Sequence, residues 1–481
     1  MKIGKLLLML LAMLVVSMFF FPFNFSAFPS QPTKNYLAVL GLLLAVFTFV
    51  SRGGLKIPNE VIVLLLLSLG VSVVAYIAIV FNRTPDYSYV YYIRTAVIWL
   101  SAAYAAVMAI YFVHGYVSVK LIIDYITAVC VFQCAMALLI EFVPAVKAFV
   151  DAHVSQGQAL LDDMDRLYGI GAYLDVGGSR FALALVGIAA IMDAKLKDMK
   201  FYVLLIYGMS FVFIAVVGNM IARTAIIGVL FGLGLFVFRF FQNLFRPSGA
   251  PIGRLFGSLA VTLLLLTPVA ITLYNAFPAF EDLMRFGFEG FFNYFEGGEF
   301  ETASTNTLKS MVVFPEDIKT WIIGDGYFAN SRYDENYLGD ATTGGFYMGT
   351  DIGYLRFIFY GGLIFLLAMS SVLIYSGVIC MNKFPKYKML FLLEIGVNFT
   401  VWLKVATDTF LFFCLFICAV MIRESFMNGE DYDEEEDEDE EEWDEDDEEE
   451  DGEEDDDDDE EDEDEDEKGV RNFPLPSFRR I

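Results

Sequence analysis

Long apolar runs separated by short polar connections organise the chain from its start to Ile422. A membrane-crossing helix needs ~20 apolar residues. On that basis helices fall near 6–22, 36–51, 60–81, 94–113, 118–141, 179–193, 201–217, 220–241, 255–275, 352–378, 388–403 and 408–422. The opening run has Lys2 and Lys5 ahead of it, as a signal peptide would, but its length and bulky, Pro-rich exit predict an uncleaved first span. The run 389–422 would reach ~51 Å as one helix, far beyond a ~30 Å hydrocarbon core. Two short helices turning around Lys404–Asp408 are expected instead.

The polar connections then set orientation. With the N-terminus in the cytoplasm, the loops at 51–59, 114–120, 194–200, 239–254 and 379–388 face inward, and each carries Lys or Arg, as the positive-inside rule requires. The outward loops are 23–35, 82–93, 142–178 and 276–351. Only the last is large enough to build a small cap, and a loop of that length with its own apolar content is usually functional. Within it, "AFEDLMRFGFEGFFNYFEGG" has helical spacing and is expected along the membrane surface, with Phe286, Phe291, Phe292 and Phe295 toward lipid. A helix around "STNTLKSMVVF" and a glycine turn at "IIGDGYF" follow. The chain therefore divides into 1–275 (nine spans), 276–351 (the outward cap), 352–422 (three spans) and a tail, 423–481.

Composition agrees with this picture: 57% of residues are hydrophobic and mean hydropathy is +0.55. The net charge of −30 belongs to the tail. Thirty-five of the 62 acids lie between Glu430 and Glu467, leaving 27 against 28 Lys and Arg before Glu430. Such a tail cannot bury a core and reads as a disordered, solvated cytoplasmic segment. Five cysteines form no framework, and pairs such as Cys130/Cys134 sit inside apolar runs as small packing residues. Nothing points to nucleic acid.

Arg94 and Glu141 sit at helix ends, where they can snorkel. Ionisable residues inside the spans are few: Asp124, Arg180, Arg223, Arg356, Glu394, Lys404 and Asp408. Each costs ~2.5–3.5 kcal/mol at a helix centre and so marks a polar cavity by default. Arg180, Arg223, Arg356 and Lys404 all lean outward. Two readings stay open for them. Either they hold an anion such as pyrophosphate through charge-assisted hydrogen bonds, or each pairs with a lipid phosphate or a nearby acid. For Lys404 the acid four residues on, Asp408, is at hand. Asp351, five residues before Arg356, is either a helix N-cap or a partly desolvated general base with a raised pKa. Tyr87, Tyr89 and Tyr91 alternate, facing sugar rings or forming an interfacial belt.

Three local patterns resemble the polytopic O-antigen polymerases of the Wzy type, relatives of the O-antigen ligases. Gly178–Arg180 opens a span with Gly-Ser-Arg. "ARTAIIG" at 222–228 is similar to that family's Ser-Arg-Thr-Gly helix start. "DIGYLRFIFYGGLI" has the frame of the ligase loop exit, with Asp351 where ligases carry histidine, and resembles the Asp-x-Gly-Tyr of many polymerases. The resemblance implies an all-α polytopic, GT-C-like fold of about twelve helices in a bacterial inner membrane, with both termini cytoplasmic. It implies polymerisation of undecaprenyl-pyrophosphate-linked oligosaccharides at the outer face. Asp351 would be the general base, and Arg180, Arg223, Arg356, Lys404 and Tyr354 would contact substrate. No cofactor and no metal are expected, although "DDMD" at 162–165 contains an Asp-x-Asp. Lipids and a chain-length regulator are the implied partners. The alternatives are an O-antigen-type ligase, which the missing histidine disfavours, and a glycan flippase, which would show helices broken at the midplane.

Overall fold

A computed structural model of the chain describes residues 3–52, 54–156, 166–245, 252–329 and 345–426. The acidic run, the Asp-x-Asp at 162–165 and part of the 239–254 loop lie outside them. The protein is an all-α polytopic membrane protein. Among the described residues nine helices are long and apolar enough to cross a membrane. In the numbering used below these are α2 (Thr33–Arg52), α3 (Asn59–Asn82), α4 (Tyr92–His114), α5 (Val119–Phe142), α7 (Leu174–Ala194), α8 (Phe201–Ile221), α9 (Ile226–Phe245, preceded by a 3-10 turn at Arg223–Ala225), α10 (Ile252–Ala276) and α15 (Gly353–Lys383).

The other three expected spans appear as shorter apolar helices. α1 (Ile3–Phe20) opens the chain, and α16 (Lys388–Val401) and α17 (Phe410–Phe426) have 14 and 17 residues. The 389–422 run thus folds as two helices around 402–409.

Burial sorts the helices. Most of α7 is buried, 83% of its apolar window, whereas only 17% of the α10 window is. The reason lies in the sequence: Gly177, Gly178, Ala182, Ala184, Gly187, Ala189 and Ala190 make α7 thin, so α5, α8, α9 and α16 can all approach it. A Cβ on Gly178 would lie 2.8 Å from the Ala222 Cβ and 3.0 Å from the Thr224 Cβ, so only glycine lets α7 meet the 222–225 turn.

One end of the bundle gathers the long connections. Asn24–Phe25 (β1) pairs antiparallel with Val154–Ser155 (β2), which follow helix α6 (Pro144–His153). The opposite end is tied by Arg423 Nε to Val117 O (2.7 Å), Lys383 to Glu424 (3.0 Å) and Arg239 to Asp193 (2.8 Å).

The cap, 277–352, contains α11 (Pro278–Gly287), α12 (Glu289–Gly297), α13 (Ala303–Ser310) and the short α14 (Ile318–Ile322). The expected lipid-facing row holds only in part. Phe291 and Phe295 are exposed, but Phe286 covers Arg223 and Phe292 stacks on Tyr274. At its far end the cap is plugged into a helix. α15 is interrupted at Gly361 and Gly362 (φ 72°, ψ −171°), freeing carbonyls of the preceding turn. The glycine turn fills the break: Asp325 N donates to Phe359 O (2.6 Å) and Gly326 N to Tyr360 O (3.0 Å). Asp86 holds the turn from the other side, accepting from Phe328 N (2.7 Å) and Ala329 N (3.2 Å). Irregular backbone is tolerated inside a membrane bundle when other protein groups satisfy it in this way. Tyr89 turns inward onto Phe328, Tyr360 and Phe365, while Tyr87 and Tyr91 stay exposed.

Candidate functional site

The four cations expected to lean outward, Arg180, Arg223, Arg356 and Lys404, all lie at the cap end, and the structure divides them. Arg223, in the turn ahead of α9, is bound by the cap. Its Nε donates to Phe286 O (2.9 Å), one terminal nitrogen to Ser304 Oγ (3.1 Å), and the other pairs with Glu289 at 2.5 Å, with the Phe286 ring over the guanidinium. Lys404 does not pair with Asp408. Residues 402–409 are not helical, so the four-residue spacing places no face in common. Its Nζ instead reaches Asp175 Oδ1 at 2.6 Å and Thr224 Oγ1 at 3.2 Å, and Thr224 also donates to Asp175.

Between the α8–α9 connection and helices α12 and α13 lies a cavity of about 250 Å³, lined by Asn219, Arg223, Thr224, Glu289, Ser304 and Lys404 among others. Arg166 adds a third cation beside it, 5.3 Å from the Phe286 ring.

Asp351 lies beside this set, within electrostatic reach of Asp175 and Lys404. It does not cap a helix. α15 begins after Ile352 with no side-chain cap, and Asp351 pairs with Arg356 at 3.4 Å. Burial pushes its carboxyl up to about 6, aided by Asp175 and opposed by Arg356 and Lys404. Arg356 is buried between the rings of Phe328 (3.6 Å) and Phe346 (4.0 Å) and donates to Phe328 O (3.2 Å). Its charge holds the cap's exit rather than lining the cavity. Tyr354 is likewise committed, its hydroxyl donating to Phe399 O (2.8 Å).

Arg180 sits apart. It is 7% exposed, its Nε has no hydrogen-bond partner, and among the described residues no acid pairs with it. The Phe21 ring, 5.8 Å from the guanidinium carbon, and Asp408 are its surroundings. Five residues along α7 from Asp175 is about 140° around the helix and ~7.5 Å along it, which places the two on different flanks.

Away from this end, Asp124 pairs with Lys120 (2.9 Å) and accepts from Tyr207. Glu394 is fully buried in α16 with neither carboxyl oxygen partnered. Among the described residues no cluster of three or more His, Cys, Asp or Glu is arranged for a metal.

Asp175, Arg166, Glu289 and Lys34 escaped the sequence reading. For Asp175 a signal exists: it is an acid in the first turn of the helix that carries Gly178–Arg180. For the others, set by contacts between distant segments, there is none. Set against family models, curated proteins and solved structures, the chain matches none.

Proposed function

We propose that this protein is a metal-independent glycosyltransferase of the bacterial inner membrane. On this reading it crosses the membrane about twelve times with cytoplasmic termini, and its cap faces outward. It polymerises undecaprenyl-pyrophosphate-linked repeat units into a surface polysaccharide. The basic loops at the end opposite the cap support that orientation. The observation that carries the reading is the cavity under the cap, where Arg223 and Lys404 face one hollow with Asp351 alongside.

In the reaction the donor's anomeric C–O bond to the pyrophosphate breaks and a new one forms to an acceptor hydroxyl. Negative charge grows on the departing diphosphate. Fixed cations favour that state over the ground state, which is how they accelerate the step. Both cations already have carboxylate partners, so the diphosphate exchanges with them: Lys404 leaves Asp175, and Arg223 turns from Glu289. Asp351, with a carboxyl titrating near the working pH, takes the acceptor proton. The cap excludes water that would otherwise hydrolyse the donor.

The test is direct. Purified chain in nanodiscs, given synthetic undecaprenyl-pyrophosphate repeats and a chelator but no nucleotide, yields a ladder of lengthening glycans. Lys404→Ala stops it at single repeats. A folded wild-type chain that makes no ladder, or a Lys404→Ala variant that makes the ordinary one, defeats the proposal.

One observation favours a second reading, a lipid-linked glycan flippase: α15 is broken, as transporter helices often are. The break, however, is filled by the cap's own backbone rather than left open to a ligand. Movement of a lipid-linked glycan across a proteoliposome membrane without elongation would favour this alternative.

A further inference from the structure

Among the described residues, three charged groups at the cap end are used neither by the cavity nor by any ion pair. Arg180 is the first, buried with an unpartnered Nε. The second is Lys34, in the first turn of α2. Its ammonium lies 4.5 Å from the Trp99 ring centroid and has no carboxylate partner among the described residues. The third is Asp408, in the turn between α16 and α17, whose one hydrogen bond is from Phe410 N at 3.2 Å. The three lie within electrostatic reach of one another. Burial pushes the Asp408 carboxyl above its usual range, against the Phe410 N–H and the charges of Lys34 and Arg180.

A guanidinium is not left unpaired in a bundle core without cost, because its desolvation is repaid only by a counter-charge. α7 supplies that counter-charge on one flank, where Asp175 meets Lys404, and withholds it on the other. The 402–409 turn touches both flanks, with Lys404 on the first and Asp408 on the second. The second flank carries a net charge of +1 with Asp408 ionised and +2 with it protonated. A multiply charged oxyanion fits this set: guanidinium and ammonium donate to its oxygens, and a protonated Asp408 donates a third bond.

We propose that Lys34, Arg180 and Asp408 form a second phosphoryl-binding subsite, on the flank of α7 away from the cap cavity, for the phosphate-bearing lipid of the other substrate. The identity of that ligand rests on the polymerase reading, since joining two lipid-linked repeats requires two carriers to be held at once. The existence of the subsite does not depend on it.

Binding is measured without turnover. The purified full chain is titrated calorimetrically with undecaprenyl phosphate, and inorganic pyrophosphate serves as competitor. The wild type takes up two equivalents, both displaced by pyrophosphate. Arg180→Gln and Lys34→Gln each weaken one of the two by about tenfold or more, the loss of one charge-assisted contact. Lys404→Gln weakens only the other. Arg180→Lys, which keeps the charge, retains both, so a loss in Arg180→Gln is not misfolding.

A single equivalent in the wild type overturns the proposal, as does an Arg180→Gln variant with both sites intact. Reconstitution in phosphatidylglycerol nanodiscs separates the sources. If bulk lipid abolishes the Arg180-dependent equivalent, the group there is a membrane phosphate and the assignment to substrate fails. A chain that binds two equivalents yet makes no ladder would lose the polymerase reading and keep the subsite.

Discussion

Arg180 and Arg223 both follow small residues at the same end of the bundle, and the two meet opposite surroundings. Gly178–Arg180 does not open its span: α7 starts at Leu174, which puts Arg180 in its second turn, whereas Arg223 stands in the turn ahead of α9. Arg223 receives a carboxylate, a backbone carbonyl, a hydroxyl and an aromatic face, all from the cap. Arg180 receives the Phe21 ring and, among the described residues, no ion pair, with Asp408 only within electrostatic reach. The difference separates a cation that holds the protein together from one whose charge is left over. Where the fold supplies the partner, removing the cation should cost stability as well as any binding it provides. Where it does not, removal should cost binding and leave the fold intact or improve it.

The comparison assumes that the cap is fixed to the bundle at two points, the Arg223 cluster and the broken helix. The largest effect is expected at the second. Gly362 has φ 72°, and a Cβ there would lie 2.0 Å from Ile322 O. Gly362→Val therefore cannot keep the glycine turn in the break, at a cost above about 4 kcal/mol. The expected result is a poorly inserted protein that aggregates on extraction, read by size-exclusion chromatography. A monodisperse variant with ordinary thermal stability would show that the turn is not an anchor. Arg223→Ala comes next. It leaves Glu289 without its cation beneath the cap, at about 3 kcal/mol. Limited trypsin digestion should then cut at Lys309 and Lys319 several times faster than in the wild type. Unchanged digestion would remove Arg223 from the structural side of the comparison.

Much of this architecture is legible in the sequence because hydropathy is a local signal. The apolar runs and the division of 389–422 follow from lengths alone. The ion pairs do not. Lys404 and Asp175 are 229 residues apart, and their meeting depends on α7 being thin enough for the 402–409 turn to reach it. The Asp408 expected for Lys404 came from a helical spacing rule applied to a segment that is not helical. Asp351 reads as a cap because acids often precede helices, but α15 starts one residue too late. The Gly361–Gly362 break looks, in sequence, like the interior of one long helix. What identifies it is the complementary glycine turn nearly forty residues earlier, and no periodicity connects the two.

Asp351 sharpens the functional side. Its carboxyl is raised to about 6 from an ordinary 3.8. As a base it must be ionised, so turnover should fall as pH drops through about 6, and Asp351→Asn should lower the plateau by about 10²-fold and abolish that limb. Its effect on stability has the opposite sign. The folded chain holds this proton more tightly than the unfolded one does. The stabilisation is therefore full below 3.8 and lost as pH rises through about 6. Thermal midpoints of wild type and Asp351→Asn should differ in slope only within that window. A rate profile with the same limb in both would assign the titration to another group.

The smallest expected effect is the one most specific to the comparison. Arg180→Met replaces the unpaired guanidinium with a flexible apolar chain beside the Phe21 ring. Removing a buried charge that has no partner recovers its desolvation cost, so the thermal midpoint should rise, by the equivalent of about 1 kcal/mol. The same variant should lose the phosphoryl-binding equivalent assigned to this flank. An increase in stability coupled to a loss of binding is what a residue retained for a ligand produces, and it is the reverse of what Arg223→Ala should show. A clear drop in midpoint, with trypsin sensitivity at the cap, would mean that Arg180 has a structural partner after all, and the two arginines would then be alike.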